Sequence, residues 1–208
     1  MQIKNMGLLA VCCIIILGLA GCAGYHAKPL KSLSRGVMPS KKENLVSFDY
    51  HIFSKKDCRK YLDRNVIKQG YQPILVSITN NTDNRLDLSM ARCSLPCANP
   101  EQVAQLVHTS TKGRVLGYGI PGLFIWPFLI PAVVDGINSS EANNLLDKDF
   151  ERKTLEESQI LQPYSTIEGL IFVAIEDFTP DFSITLLDQS NGNQFVLNSK
   201  NQRYTIQA

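Results

Sequence analysis

Histidine is scarce in this chain. Its 208 residues include three, at positions 26, 51 and 108. They stand apart from one another, and no H-E-x-x-H, G-x-S-x-G or S-x-x-K occurs. The zinc-hydrolase and serine-acylation signatures are therefore missing, and with them any nucleophile–base set. Charge of one sign is lacking too. Lys and Arg number 21 against 19 Asp and Glu, a formal net charge of +2. From residue 45 onward there are 15 basic and 18 acidic residues. A nearly neutral body lacks the electrostatic footprint of a nucleic-acid binder. No repeats or low-complexity tracts occur, which excludes solenoids and arrays. The expectation is a protein that is not an enzyme, with no metal and no nucleic-acid partner.

What is present begins at the N-terminus. Lys4 precedes an apolar run from Met6 to Leu19, followed by Ala20, Gly21 and Cys22. The run is too short for an ordinary membrane span and has the layout of a secretory leader. Leu19-Ala20-Gly21-Cys22 resembles the lipobox of bacterial lipoproteins. That resemblance implies cleavage before Cys22 and a covalent lipid on its sulfur, with no other cofactor. Small residues at 20 and 21 let a peptidase approach the backbone. Cys12 and Cys13 lie deep in the run, behind Val11, and are poor acceptors. The expected organisation is a signal peptide at 1–21, a tether at 22–44 and a folded domain at 45–208. The tether holds Lys28, Lys31, Arg35, Lys41 and Lys42 against Glu43, with Pro29, Pro39, Gly24 and Gly36. Such a segment is flexible and lies well against an anionic lipid surface, or serves as a plain solvated spacer. Ala23, where an Asp would resemble an inner-membrane retention signal, favours the outer membrane, with the body in the periplasm or at the cell surface.

Beyond Cys22 the cysteines are Cys58, Cys93 and Cys97, an odd number for an oxidising compartment. Cys93-Ser-Leu-Pro-Cys97 can close a small disulfide loop around Pro96. Cys58 with either of the others is the alternative. One bridge and one buried free thiol is the expectation.

Two β-rich stretches follow from the patterning. Leu45–Phe53 reads as a strand, and Ser54 with Asp57 as the cap of a short helix. Tyr71–Thr79 is a strand whose Pro73 suits an entry or an edge. Asn80-Asn81-Thr82-Asp83-Asn84 is a turn, and Leu86–Met90 the returning strand. In the second stretch, Thr166–Ile175, Phe182–Leu187, Gln194–Leu197 and Arg203–Ile206 read as strands, with Asn191-Gly192 as a hairpin signal. Strands with Asn-rich and Pro-containing loops over about 45–95 and 160–206 resemble small extracytoplasmic immunoglobulin-like domains. The fold class expected is α+β: an antiparallel immunoglobulin-like β-sandwich carrying a helical hairpin insertion at about 99–157.

The insertion opens with Asn99-Pro100-Glu101, a good helix start, with Val103, Leu106 and Val107 on one face and Gly113 at the end. A second helix is expected from about Ser140 to Leu155. Ala142, Leu145, Leu146 and Phe150 form its apolar stripe, with Asp147, Lys148, Asp149, Glu151, Arg152 and Lys153 on the charged face. Between them Leu116–Val134 has nineteen residues and no charge. Prolines 121, 127 and 131 and glycines 117, 119 and 122 argue against a spanning helix. The G-x-G-x-x-G spacing at 117–122 lacks the regular helix a dinucleotide site needs. This Gly/Pro-rich tip can pack as core, insert shallowly in a membrane, or bury against a partner or another copy. Tyr118, Leu123, Phe124, Trp126, Phe128 and Leu129 are its candidate contact residues. The functional expectation is a lipid-anchored envelope protein acting as a structural or interaction module. The alternatives are a small-ligand carrier or hydrolase with a pocket between sheet and insertion, and a subunit of an envelope assembly joined through 116–134.

Overall fold

The computed structural model describes residues 24–30, 45–108, 129–200 and 203–207. The chain forms two compact units, one of residues 1–25 and 108–146, the other of 26–107 and 147–208. The second holds the described strands. These are β1 (Val46–Ile52), β2 (Tyr71–Asn80), β3 (Leu86–Cys93), β4 (Ser158–Leu161), β5 (Thr166–Ala174), β6 (Ser183–Asp188), β7 (Gln194–Asn198) and β8 (Arg203–Gln207). The helices are α1 (Lys55–Tyr61), α2 (Pro100–Leu106) and α3 (Leu129–Lys153), with a 3-10 turn at Val66–Gln69. No helix among the described residues is long and apolar enough to cross a membrane.

Two antiparallel sheets form the frame, a three-stranded one in the order β1-β2-β5 and a five-stranded one in the order β4-β3-β6-β7-β8. Alternation along the strands sends one set of side chains inward. Val46 and Phe48, Ile74, Val76 and Ile78, and Ile171 and Val173 meet Leu86, Leu88, Ile184, Leu186, Phe195 and Leu197 in one core. Strands β2 and β5 of the smaller sheet are apolar on both faces, because its outer face is covered as well. Leu75, Leu170 and Phe172 are buried there, and Phe150 of α3 stacks on Phe172 at 5.5 Å between ring centroids. This explains the unbroken runs Ile74-Leu75-Val76 and Leu170-Ile171-Phe172-Val173.

Local chemistry sets the boundaries. Ser54 caps α1 by accepting the Asp57 amide, and Asp57 accepts the Ser54 amide at 2.9 Å, a reciprocal capping box. Asn80 is fully buried and fully used. Its amide nitrogen donates to the carbonyls of Asn84 and Gln162, and its oxygen accepts from the Thr82 amide and hydroxyl. The Asn-rich turn is thereby locked to the loop that leaves β4.

Several expectations change. Pro73 lies in β2, the central strand of its sheet, not at an edge. Its carbonyl accepts the Phe53 amide, so an ordinary residue there would return its own amide to Phe53. Proline cannot, and the Gln72 side-chain amide donates to the Phe53 carbonyl at 2.9 Å instead. Helix α2 stops at Leu106, well before Gly113. Its buried face is Val103, Ala104 and Val107, while Leu106 is half exposed. Helix α3 starts at Leu129, upstream of Ser140, with Pro131 in its first turn, where an amide has no intrahelical acceptor to lose. Leu145 is half exposed, whereas Ala142, Leu146 and Phe150 are buried as expected. Lys153 leaves the charged face: it is buried, and its ammonium donates to the Tyr61 carbonyl at 2.6 Å and to Asp149. The folded body also reaches back beyond Leu45. The Lys28 amide donates to the Lys60 carbonyl at 2.9 Å and Leu30 is buried. The short strand β4 has no signature of its own, since three of its four residues are outside the core.

Candidate functional site

Among the described residues lies a cleft of about 1050 Å³. Its floor is the outer edge of β5, at Ile171 and Phe172. Two chain segments cap that edge and wall the cleft. On one side Cys97 bridges to Val173 and the Ala98 amide donates to the Phe172 carbonyl at 2.7 Å. On the other, Thr154 bridges to Leu170 and the Leu155 amide donates to the Leu170 carbonyl at 3.0 Å. An edge that would otherwise invite another strand is thus covered by the chain itself. Gly169 makes the second closure possible. A Cβ there would lie 2.8 Å from the Leu155 backbone nitrogen.

The wall at 93–101 is positioned by a bulge. Four residues of β3 between Leu88 and Cys93 lie opposite the single Thr185 between Leu186 and Ile184 of β6. Arg92 folds back to hold the excess chain. Its guanidinium donates to the Asp87 carbonyl at 2.8 Å and the Asp87 carboxylate at 2.7 Å. Bulges often re-aim side chains at sites, and this one turns Met90, Ala91 and Cys93 to the cleft. Beyond it the Ser94 amide donates to the Ser183 carbonyl, and the Ser94 hydroxyl accepts the Ser183 amide, each at 2.9 Å. Asn99 then caps α2 by accepting the Glu101 amide at 2.8 Å.

The lining is acidic. Glu101, Asp147, Glu151, Glu156 and Glu157 face one cation, Lys148. Such a lining attracts cationic groups and repels anionic ones. Cys93 and Cys97 also line the cleft, both half-buried and both thiols. Donation from the Cys97 thiol holds Cys93 down at about 7, against the opposing effect of burial. The same hydrogen bond, followed by burial, drives Cys97 far up. The single Cys97 proton has a second acceptor in reach, the Leu95 carbonyl at 3.6 Å. Cys58 is different in kind. It is fully buried in α1, and desolvation pushes its thiol up to about 11.

Cys22, Tyr118, Leu123, Phe124, Trp126 and Phe128 lie outside the described residues, and Leu129 is the first residue of α3. His51 pairs with Asp57 at 3.4 Å at the start of α1, while the His26 amide donates to Asp63. Among the described residues no three His, Cys, Asp or Glu side chains gather as metal ligands. Sequence reasoning named the two thiols and offered a pocket between sheet and insertion as an alternative, but it did not name the residues that wall the cleft. Its walls come from positions 90–101 and 147–157, which only the pairing with β5 brings together. Comparison of the chain with protein-family models, with curated proteins and with solved structures finds no match.

Proposed function

We propose that the protein is a lipid-anchored component of the bacterial cell envelope whose folded body is an interaction module. The observation that carries this reading is Leu19-Ala20-Gly21-Cys22 at the end of an apolar run preceded by Lys4. Acyl chains on Cys22 anchor the chain, and more than one chain is needed for stable attachment. Ala23 directs it to the outer membrane. The two-sheet frame serves as an immunoglobulin-like sandwich, and residues 99–157 act as its helical insertion. The uncharged strip 116–134, through Tyr118, Leu123, Phe124, Trp126, Phe128 and Leu129, makes the second contact, with a membrane or an envelope partner. The test has two arms. Metabolic labelling with a tagged palmitate should mark the wild-type chain and not Cys22→Ser, and labelling of both would sink the anchor. Cys22→Ser, secreted behind a non-lipid leader, should float with liposomes until Leu123, Phe124 and Trp126 are made polar. A clean aqueous monomer would leave lipid as the sole attachment.

One observation favours a second reading, carriage of a small ligand. The cleft of about 1050 Å³ is at the upper limit of the size of ligand sites, and carboxylates line it. Its occupant would be cationic. Calorimetric titration with spermidine and with an Arg-rich peptide tests it, and no heat from either would remove it.

A further inference from the structure

Cys93 and Cys97 belong to different sheets. Cys93 ends β3 opposite Ile184 of the five-stranded sheet. Cys97 is bridged to Val173 of the three-stranded sheet. The turn Ser94-Leu95-Pro96 joins them, and both thiols open on the cleft. Hydrogen bonding from the Cys97 thiol lowers the Cys93 thiol. A structural bridge needs no cavity at its sulfurs. Attack and resolution on a foreign disulfide need two neighbouring thiols and room for the substrate.

We propose that Cys93 and Cys97 form a redox-active dithiol site whose substrate is a disulfide in a positively charged polypeptide. The Cys93 thiolate attacks one sulfur of the substrate. A Cys93–substrate bond forms, the substrate S–S bond breaks, and the other substrate sulfur leaves as a thiolate and takes a proton. Cys93 is now neutral and no longer holds the Cys97 proton. Cys97 releases it to solvent and attacks the Cys93 sulfur. The Cys93–Cys97 bond forms and the second substrate thiolate departs. Two electrons have passed from the pair to the substrate, and exchange with an external dithiol reverses the sequence. The substrate class follows from the lining. Glu101, Asp147, Glu151, Glu156 and Glu157 repel anionic disulfides such as oxidised glutathione, and the cleft is wide enough for a peptide loop. None of this depends on lipid at Cys22.

The test uses the full chain in detergent, reduced with dithiothreitol, freed of it, and exposed to cystamine (a dicationic disulfide) or to oxidised glutathione. Trypsin releases both thiols on one peptide, Cys93–Lys112, so its mass reports the pair without interference from other cysteines. That peptide should lose two hydrogens. The preference for cystamine should exceed that of the isolated synthetic peptide by about ten-fold or more. Cys97→Ser should accumulate cysteamine on Cys93, and Cys93→Ser should react about ten-fold more slowly. Early quenching of the wild type with N-ethylmaleimide, followed by fragmentation, locates the first mixed disulfide without any variant, and it should be on Cys93. The proposal is overturned by first attack at Cys97, by equal rates in the two variants, by no mass change with either disulfide, or by a bridge that dithiothreitol leaves closed in the native protein. Failure of palmitate labelling would touch none of these readouts.

Discussion

Pro73 removes one amide from the centre of a sheet, and its neighbour supplies another. The Gln72 side chain donates to the carbonyls of Phe53 and Pro73, at 2.9 and 3.0 Å. Gln72→Leu should therefore cost about 1–2 kcal/mol, the usual penalty for leaving a part-buried acceptor without a donor. The logic is checked by a double-mutant cycle. Pro73→Val restores a backbone amide aimed at Phe53, so the loss from Gln72→Leu in that background should fall by about half or more in urea titrations. Equal losses in both backgrounds would show that the Gln72 amide is not the substitute donor. Cys93 offers a second residue-scale test. Its alkylation by iodoacetamide should reach a plateau as pH rises through about 7. In Cys97→Ala the inflection should move up towards the ordinary thiol value of about 8.5. Glu101, Asp147, Glu151, Glu156 and Glu157 face the same cleft, as does Lys148. A profile unchanged by Cys97→Ala would remove the proton-sharing account.

At the scale of elements, Gly169 governs how the chain closes over β5. A Cβ there meets the Leu155 nitrogen at 2.8 Å and its side chain at 2.9 Å. Backbone cannot yield as a flexible side chain can, so Gly169→Ala should destabilise by about 1–3 kcal/mol. Leu155→Ala would relieve only the side-chain part, so the double variant should stay below Leu155→Ala alone. A Gly169→Ala midpoint equal to wild type in urea would disprove the close approach. Such features divide what was legible in the sequence from what was not. The Asn80–Asn84 turn, the Ser54–Asp57 cap and the Asn99-Pro100 start announce themselves because their bonds are local. Strand β2 announces itself by its apolar run. The closure at Leu155, the Gln72 substitution and the bulge at 89–92 involve partners from 15 residues away, at Leu170, through 19, at Phe53, to 93, at Thr185. No local pattern encodes those. Leu106 and Leu145 went wrong for a related reason. Helical periodicity names a face, but the neighbour decides how wide the buried stripe is, and here it stops short of both.

For the molecule as a whole, the pair at 93 and 97 decides how the two sheets are tied. In the dithiol state each thiol is fixed to its own sheet by backbone pairing, Cys93 opposite Ile184 and Cys97 against Val173. Oxidation would add a covalent tie across the sandwich. The loop it closes is short, so the entropy removed from the unfolded chain is small. The chain-entropy relation gives about 2 kcal/mol for a loop of about five residues. In a chain of this size each kcal/mol moves the midpoint by about 2–4 °C, so oxidised protein should melt about 4–8 °C above reduced protein. Calorimetry of the two states checks this, with Cys97→Ala as the control that should show no difference. Acid works against both states alike. Burial tends to raise Asp188, but hydrogen bonds from Ser190, Asn84 and Asn191 outweigh it and leave the carboxyl below its usual value. Burial likewise tends to raise Asp57, but the Ser54 and His51 bonds outweigh it, and this carboxyl is also lowered. Their stabilisation is complete above the unfolded carboxyl value of about 3.9 and is lost as pH falls through the folded values. Asp49 is raised by burial and runs the other way, regaining stability on protonation. Asp57 and Asp188 thus produce a loss below about pH 4 that Asp49 opposes. That loss should be equal in oxidised and reduced protein, because none of the three touches the thiol pair. An oxidised form whose advantage disappeared in acid would mean that the bridge strains the sheets it joins, and the pair would then be a switch in packing as well as an exchange site.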